Sequence, residues 1–477
     1  MEIKRIGIYP FNDECMVFLE YSNLLNSEYR ICEAASLNGW GFVGKNIKLE
    51  SDNYQIKASP ALFNNKIDIL FVPEFDASES VEEFIVNEII GMAPEVSEIM
   101  CAANLSEAGV NKIRQACGDQ NLNCKFLKLA EKALSDDITA IYNDGRKNLE
   151  KIDVPIIVIA GLWENTDKFK TSLVLRNKLL KEGYRVSQIG SRNYCELFGF
   201  HSFPGFMTDS KISEIDKPLM LNRYVKKIAD SEESDVIIIG IPGSIQSLNE
   251  KYTNRFGILP YITFQALSVD FLIMCTFYEY SSVKFLDEIS QLCKYRFSCC
   301  ADAYHMSNLY IDLAETEEKD KVITNRIPRN IINKTLKDNY GESKIPVFNL
   351  YEDCDVDRLF DLILNKLSGD VKIMVWGIDM IKEKIKNIDL KDKIVGDIFD
   401  ILDAKFNIHL DRASRNILDK NLFGNDIRLV SRDMVYLVYL LEQKYGITFN
   451  DSDMDDTAFY TVNGISDIIC DRLYSDL

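Results

Sequence analysis

Short β-branched runs alternate with stretches of helical periodicity over most of the chain, and that alternation predicts parallel sheets with helices packed on their faces. The clearest run is Pro155 to Ala160, which ends at Gly161 and has the uniform apolar character of a strand buried on both sides. Phe169 to Lys181 then repeats with the period of a helix. Leu173, Leu175, Leu179 and Leu180 form its apolar stripe, Lys170, Arg176 and Lys178 lie mostly off it, and Gly183 stands where it should stop. Tyr184 to Ile189 supplies the next strand, followed by Val236 to Ile239 and Phe271 to Phe277, with Met306 to Asp312 expected at the domain edge. Upstream, Arg5 to Tyr9, Arg30 to Glu33, Ile67 to Pro73 and Glu98 to Ala102 alternate with helical patterns over Ser80 to Met92 and Ser106 to Cys117. Leu129 to Lys151 reads as a connecting helix. The pattern gives an α/β fold class, with a first domain over residues 1–150 and a second over 151–388.

From Asp389 onward only helical patterns remain. Ile394 to Phe406, Asp433 to Tyr445 and Thr461 to Leu473 are amphipathic, Asn421 to Ser431 is an irregular loop, and Leu437, Val438, Leu440 and Leu441 are the expected core of a third domain over 389–477. Composition adds that the chain is an ordinary globular one, 47% hydrophobic and 27% charged. A net charge of −19 argues against a nucleic-acid partner, which would need a basic face. No apolar run reaches the roughly 18 residues of a membrane span. The first residues carry charges where a secretory signal would be apolar. No membrane association and a cytoplasmic location are therefore expected, and with them 12 reduced, mostly buried cysteines.

A strand that ends in glycine and feeds a helix is where backbone N–H groups and the helix terminus attract phosphate. The candidate nucleotide- or anion-binding residues here are Gly161, Lys168, Lys170, Thr171 and Ser172. The loop does not spell GxxxxGK[ST]. Counting from Gly161 puts Thr166 at the second glycine and Asp167 at the lysine; counting back from Lys170 puts Phe169 at the glycine, where a ring would crowd a phosphate. The bland alternative is a Thr/Ser-capped helix start with solvated lysines. Gly240, Pro242 and Gly243 form a second tight loop, expected beside the first because ligands gather beyond the carboxyl ends of parallel strands. Ile241 stands there in place of an acid that would position a metal. The long segment GSRNYCELFGFHSFPGFM is a possible site loop, with Cys195, Glu196 and His201 as its reactive side chains. Cys293, Cys299, Cys300 and His305 read as buried groups and not as a metal site. Glu352, Asp353, Asp355 and Asp357 read as a solvated helix start. Gly39, Gly41 and Gly44 have the letters of a dinucleotide loop, but no helix follows them and a turn is expected. No residue can be assigned as catalytic.

In topology, Pro155 to Asp312 resembles phosphate-loop proteins of the dethiobiotin-synthetase and signal-recognition class. The tail, NLFGNDIRLVSRDMVYLVYLLEQKYGITFNDSDM, resembles an acyl carrier protein, and places Ser431, between Val430 and Arg432, where that family's serine receives phosphopantetheine. Read from its residues alone, Ser431 is a helix N-cap. Taken together, GLWENTDKF, VSQIGSRNYCELFGFHSFPGFM and VIIIGIPGSI, followed by such a tail, resemble clostridial peptide maturation system proteins of bacteriocin-like and cysteine-rich peptide cassettes. The resemblances imply a Rossmann-like domain, a degenerate P-loop-like domain and an acyl-carrier-like helical bundle. They imply an accessory or assembly protein in the maturation of ribosomally synthesised peptides, with a precursor peptide and a radical maturase as partners. The alternative is an ATP- or GTP-dependent enzyme that activates a peptide or acyl group, with a nucleotide as cofactor and Ser431 as phosphopantetheine tether. A dinucleotide-dependent oxidoreductase is the third reading.

Overall fold

Five parallel strands, β1 (Lys4–Ile8), β2 (Tyr29–Ala34), β3 (Ile69–Val72), β4 (Glu98–Cys101) and β5 (Asn123–Phe126), form a first sheet in the order β2-β1-β3-β4-β5. Because side chains alternate along a strand, Leu70, Val72, Ile99 and Cys101 meet helices α1 (Glu79–Met92) and α2 (Glu107–Asp119) on one face, while Ile6, Ile8, Ile69 and Phe71 point to the other. Gly39, Gly41 and Gly44 all have positive φ and lie in turns that open no helix.

A second sheet holds seven parallel strands: β6 (Ile156–Gly161), β7 (Val186–Gly190), β8 (His201–Ser202), β9 (Val236–Gly240), β10 (Phe271–Thr276), β11 (Ala303–Met306) and β12 (Val347–Phe348), in the order β8-β7-β9-β6-β10-β11-β12. The chain leaves β6 toward β7 on one side and later returns to lay β10 on the other, so β6 sits where the winding reverses. Ile156, Val158 and Ala160 pack against α4 (Lys217–Glu232), α5 (Ile258–Ala266) and α6 (Val283–Phe297). Ile157 and Ile159 pack on the opposite face against α3 (Lys168–Lys181) and a helix α7 (Asp353–Ser368). The segment expected at the domain edge forms a strand, Leu309–Ile311, paired with Thr324–Arg326 and not with the main sheet.

The free face of the first sheet is closed by α3 and by the aromatic segment after β7. Phe18 and Phe71 meet Tyr194 at ring-centroid distances of 5.0 and 5.8 Å, and Phe169 meets Tyr194 at 5.4 Å and Phe198 at 5.8 Å. Leu173 joins this seam while Val174, Leu175 and Leu179 face the second sheet, so α3 buries two sides and Leu180, expected on a single stripe, is left 39% exposed. The shared core is why the chain divides into two compact units, 1–371 and 372–477, instead of three. The join near residue 150 is a seam inside the first unit. This computed structural model describes residues 3–48, 53–75, 77–127, 148–251, 257–278, 282–319, 322–341, 343–368, 378–410, 417–454 and 457–475, so most of the expected connecting helix, residues 129–147, lies outside the described residues.

The second unit is helical: α8 (Ile378–Phe406), α9 (Ser431–Tyr445) and α10 (Val462–Ser475) enclose Ile394, Ile398, Leu402, Leu437, Leu441, Ile465 and Ile469. It begins earlier than the expected residue 389 because α8 runs unbroken through that position. Val438 packs partly against the core, whereas Leu440 is outside it. Among the described residues no helix is long and apolar enough to cross a membrane.

Candidate functional site

The loops that follow β6 and β9 are neighbours because their strands pair directly, Ile239 opposite Val158 and Gly240 opposite Ile159. Beyond the strands they stay tied: Ile245 N–H donates to Gly161 O at 2.9 Å and Gln246 N–H to Leu162 O at 3.0 Å. Trp163 anchors the first loop, stacked between Phe277 and Phe285 at 5.9 and 6.2 Å. The loop then folds back so tightly that a Cβ on Gly161 would lie 2.4 Å from Trp163 O and 2.8 Å from Lys168 Cδ. Only glycine fits there.

Six residues, Leu162 to Asp167, separate Gly161 from Lys168, one more than in GxxxxGK. The turn into α3 is made by Asn165 and Asp167, both left-handed with φ of 58°. Asn and Asp are the residues other than glycine that adopt this conformation most readily. Asp167 thus does the backbone work of the missing glycine at the N-cap of α3, and Lys168 follows it at the first helical position. Among the described residues, a turn at Glu164–Asn165 closes Thr166 onto Trp163, and the next backbone bond is Thr171 N–H to Asp167 O at 2.9 Å, so the N–H groups from Asp167 to Lys170 at the start of the helix have no helical acceptor. Donors left open at the positive end of a 14-residue helix have the geometry of a cradle that suits an anion.

Lys168 is 8% exposed and extends across the gap to donate to Gly243 O. Burial pushes its ammonium down to about 8, partly opposed by the nearby carboxylate of Glu164. An anion between the two loops would relieve that penalty. The Asp167 carboxyl is hydrogen-bonded by the Tyr351 hydroxyl, and its Oδ2 is buried without a partner; burial raises it above the usual carboxylate range.

These groups border a cavity of about 430 Å³ at the carboxyl end of the second sheet. Its far wall belongs to the first sheet: Asp13 and Glu14, in the turn after β1, together with Met16 and Val17. Arg192, after β7, pairs with Glu14 at 2.9 Å and with Glu74, just beyond β3, at 2.8 Å. Arg326, on the Leu309–Arg326 hairpin, reaches Asp13 at 3.3 Å. None of Asp13, Glu14, Arg192 and Arg326 was singled out from the sequence. The rule that ligands gather at carboxyl ends, applied to β1 as it was to β6, would have drawn attention to Asp13 and Glu14.

Of the candidate residues, Gly161, Lys168, Gly240 and Gly243 come together; Lys170 borders the same cavity but turns its ammonium away, and Thr171 and Ser172 do not join them. Lys170 pairs with Glu20 at 2.7 Å and lies 4.3 Å from the Tyr351 ring centroid. Thr171 is buried and accepts from the Cys275 thiol, and Ser172 donates to Phe169 O at 2.7 Å, both turned into the protein. They do not cap the helix, and Lys168 is not solvated, so the bland alternative fails in its particulars. Phe169, expected in the mouth of the loop, instead directs its ring into the aromatic seam.

Cys195 is buried with its thiol donating to Arg192 O at 3.0 Å, Glu196 accepts from Ser202 Oγ at 2.7 Å, and His201 pairs with Glu232 at 2.6 Å. Their segment works as the seam's aromatic filling and as the base of Arg192. His305 is fully buried, accepts from Leu350 N–H at 3.2 Å and is kept neutral by burial, at about 3. In the helical unit Ser431 is exposed and is the first residue of α9. Val430 holds the cap position with no side-chain bond, so Ser431 is not the N-cap its residue type suggested. Nearby, Val435 is 72% and Tyr439 53% exposed.

No protein-family model matches the chain, and no curated protein matches it. Among solved structures it is similar to a DUF1611 family protein from Anabaena variabilis, at 11% identity and a TM-score of 0.49, over 76% of this chain and 99% of that one. The α/β assignment stands on the strand pairing itself.

Proposed function

We propose that the α/β unit binds the phosphates of a nucleoside polyphosphate in the Gly161–Lys168 loop and uses the cavity between its two sheets as the working site. The observation that supports this most is the set of N–H donors at the start of α3, Asp167 to Lys170, without helical acceptors, beside a buried lysine. A polyphosphate supplies the opposite charge that both features need, and the cavity exceeds what a single phosphate fills. Titration calorimetry with ATP and GTP, with and without magnesium, tests it. Binding by the whole chain that Lys168→Ala weakens about a hundredfold is expected; no heat with any of them overturns it.

The setting we propose follows the sequence resemblance: an accessory protein of ribosomal peptide maturation, cytoplasmic, meeting a precursor peptide and a maturase. A second reading, in which the helical unit carries an acyl or peptidyl group, is supported by Ser431, whose exposed side chain is not used in capping. Intact mass after incubation with coenzyme A and a broad-specificity phosphopantetheinyl transferase tests it. A gain that disappears in Ser431→Ala is expected, and no gain removes the tether.

A further inference from the structure

Besides the cradle, the cavity is lined by two ion pairs that reach the turn after β1, one from Arg192 after β7 and one from Arg326 on the Leu309–Arg326 hairpin. Arg192 is held by two carboxylates of unequal standing. Glu74 is the more enclosed and also accepts from Asn193 N–H at 3.4 Å, whereas Glu14 is 41% exposed. Asp13, the partner of Arg326, is 66% exposed. Ion pairs this open to water contribute little. An arginine fork on phosphate oxygens is bidentate and charge-assisted, and stronger. Both arginines line the same cavity as Lys168 and the loop donors, so a chain of phosphates seated on the cradle runs toward them.

We infer that Arg192 and Arg326 are ligands for the distal phosphates of a polyphosphate, and that Glu14 and Asp13 compete with it for them. Glu74 keeps Arg192 aimed into the cavity while Glu14 is displaced. The site therefore counts phosphates: a single phosphate engages the loop and Lys168, and a longer chain recruits the arginines and frees the Asp13–Cys15 turn from the second sheet. This rests on the proposed phosphate binding and adds the chain-length selectivity to it.

The test compares inorganic phosphate, pyrophosphate and ATP on the full chain by calorimetry. Glu14→Gln is the decisive variant, because an increase in affinity cannot come from misfolding. It should bind pyrophosphate and ATP several-fold more tightly and leave inorganic phosphate unchanged. Arg192→Met should weaken pyrophosphate and ATP about tenfold, in keeping with one lost charged hydrogen-bonding group, again sparing inorganic phosphate. If the wild type binds ATP and Lys168→Ala weakens it about a hundredfold, yet Glu14→Gln and Arg192→Met leave the preference for ATP over phosphate as it was, the inference is overturned and the phosphate site stands. If the wild type binds none of the three anions, both are overturned.

Discussion

The two sheets of the α/β unit have the same parallel construction and bring opposite chemistry to their carboxyl ends. After β1 and β3 the first sheet presents Asp13, Glu14 and Glu74; after β6 and β7 the second presents Lys168 and Arg192. Strand direction places the loops at one edge, but only the residues in those loops decide whether the edge attracts an anion or repels it. The aromatic seam then fixes the two edges face to face, so packing and charge are separable contributions that different substitutions address.

The largest effect should fall on the seam. Phe169→Ala removes a ring that touches Tyr194, Phe198 and Phe200 and should destabilise the unit by about 3–5 kcal/mol in chemical denaturation. Phe84→Ala, at a residue 52% exposed, should change it by less than about 0.5 kcal/mol. Equal effects would mean that the seam does not hold the sheets together.

Next comes the cradle itself. Lys168→Ala should weaken ATP binding about a hundredfold, close to 3 kcal/mol, while keeping the fold. Lys168 also links function to pH. Its ammonium titrates near 8 in the folded protein and near 10.5 when unfolded, so the folded state releases its proton first. Stability therefore rises with pH between those values, and below about 8 the whole burden of the buried charge is present. Lys168→Met should accordingly be more stable than the wild type at pH 7, by on the order of 1–3 kcal/mol, with the advantage fading toward pH 10. Phosphate binding by the wild type should decline as pH passes 8. A Lys168→Met chain no more stable than its parent at pH 7 would show that the charge carries no penalty there.

The smallest effect should be at Lys170. Two positions from Lys168, it serves the junction with Glu20 and Tyr351, so Lys170→Ala should leave ATP affinity within about twofold and reduce stability by no more than about 1 kcal/mol. A loss matching that of Lys168→Ala would move the cradle about half a turn along the helix.

Sequence reasoning found what depends on contiguous residues. The run Pro155 to Ala160 and the run at Val236 declare buried strands, and their pairing put the Gly161 and Gly243 loops together as expected. It named Lys168 beside Lys170 without separating them, because a motif counts letters, whereas the backbone requires a left-handed residue before the helix, and Asp167 supplies one after an extra step. Phe169 was misplaced for a related reason: α3 buries two sides, and a single-stripe reading gives its first-turn ring no interior to enter. Arg192, Arg326, Asp13 and Glu14 come from loops more than a hundred residues apart in pairs, and no periodicity connects such positions. In the helical unit the pattern gave the core at Leu437 and Leu441 but not the exact start of α9, which decides whether Ser431 is a cap.

The left-handed aspartate at the entrance to α3 leaves the loop adjustable. A one-nucleotide change converts an Asp codon to Gly, and at residue 167 that exchange would relax the turn and take away a carboxyl group in the same step. Under the proposed phosphate binding, a lineage carrying this chain could tune ligand retention through that one codon, without rebuilding the strand before the loop or the helix after it.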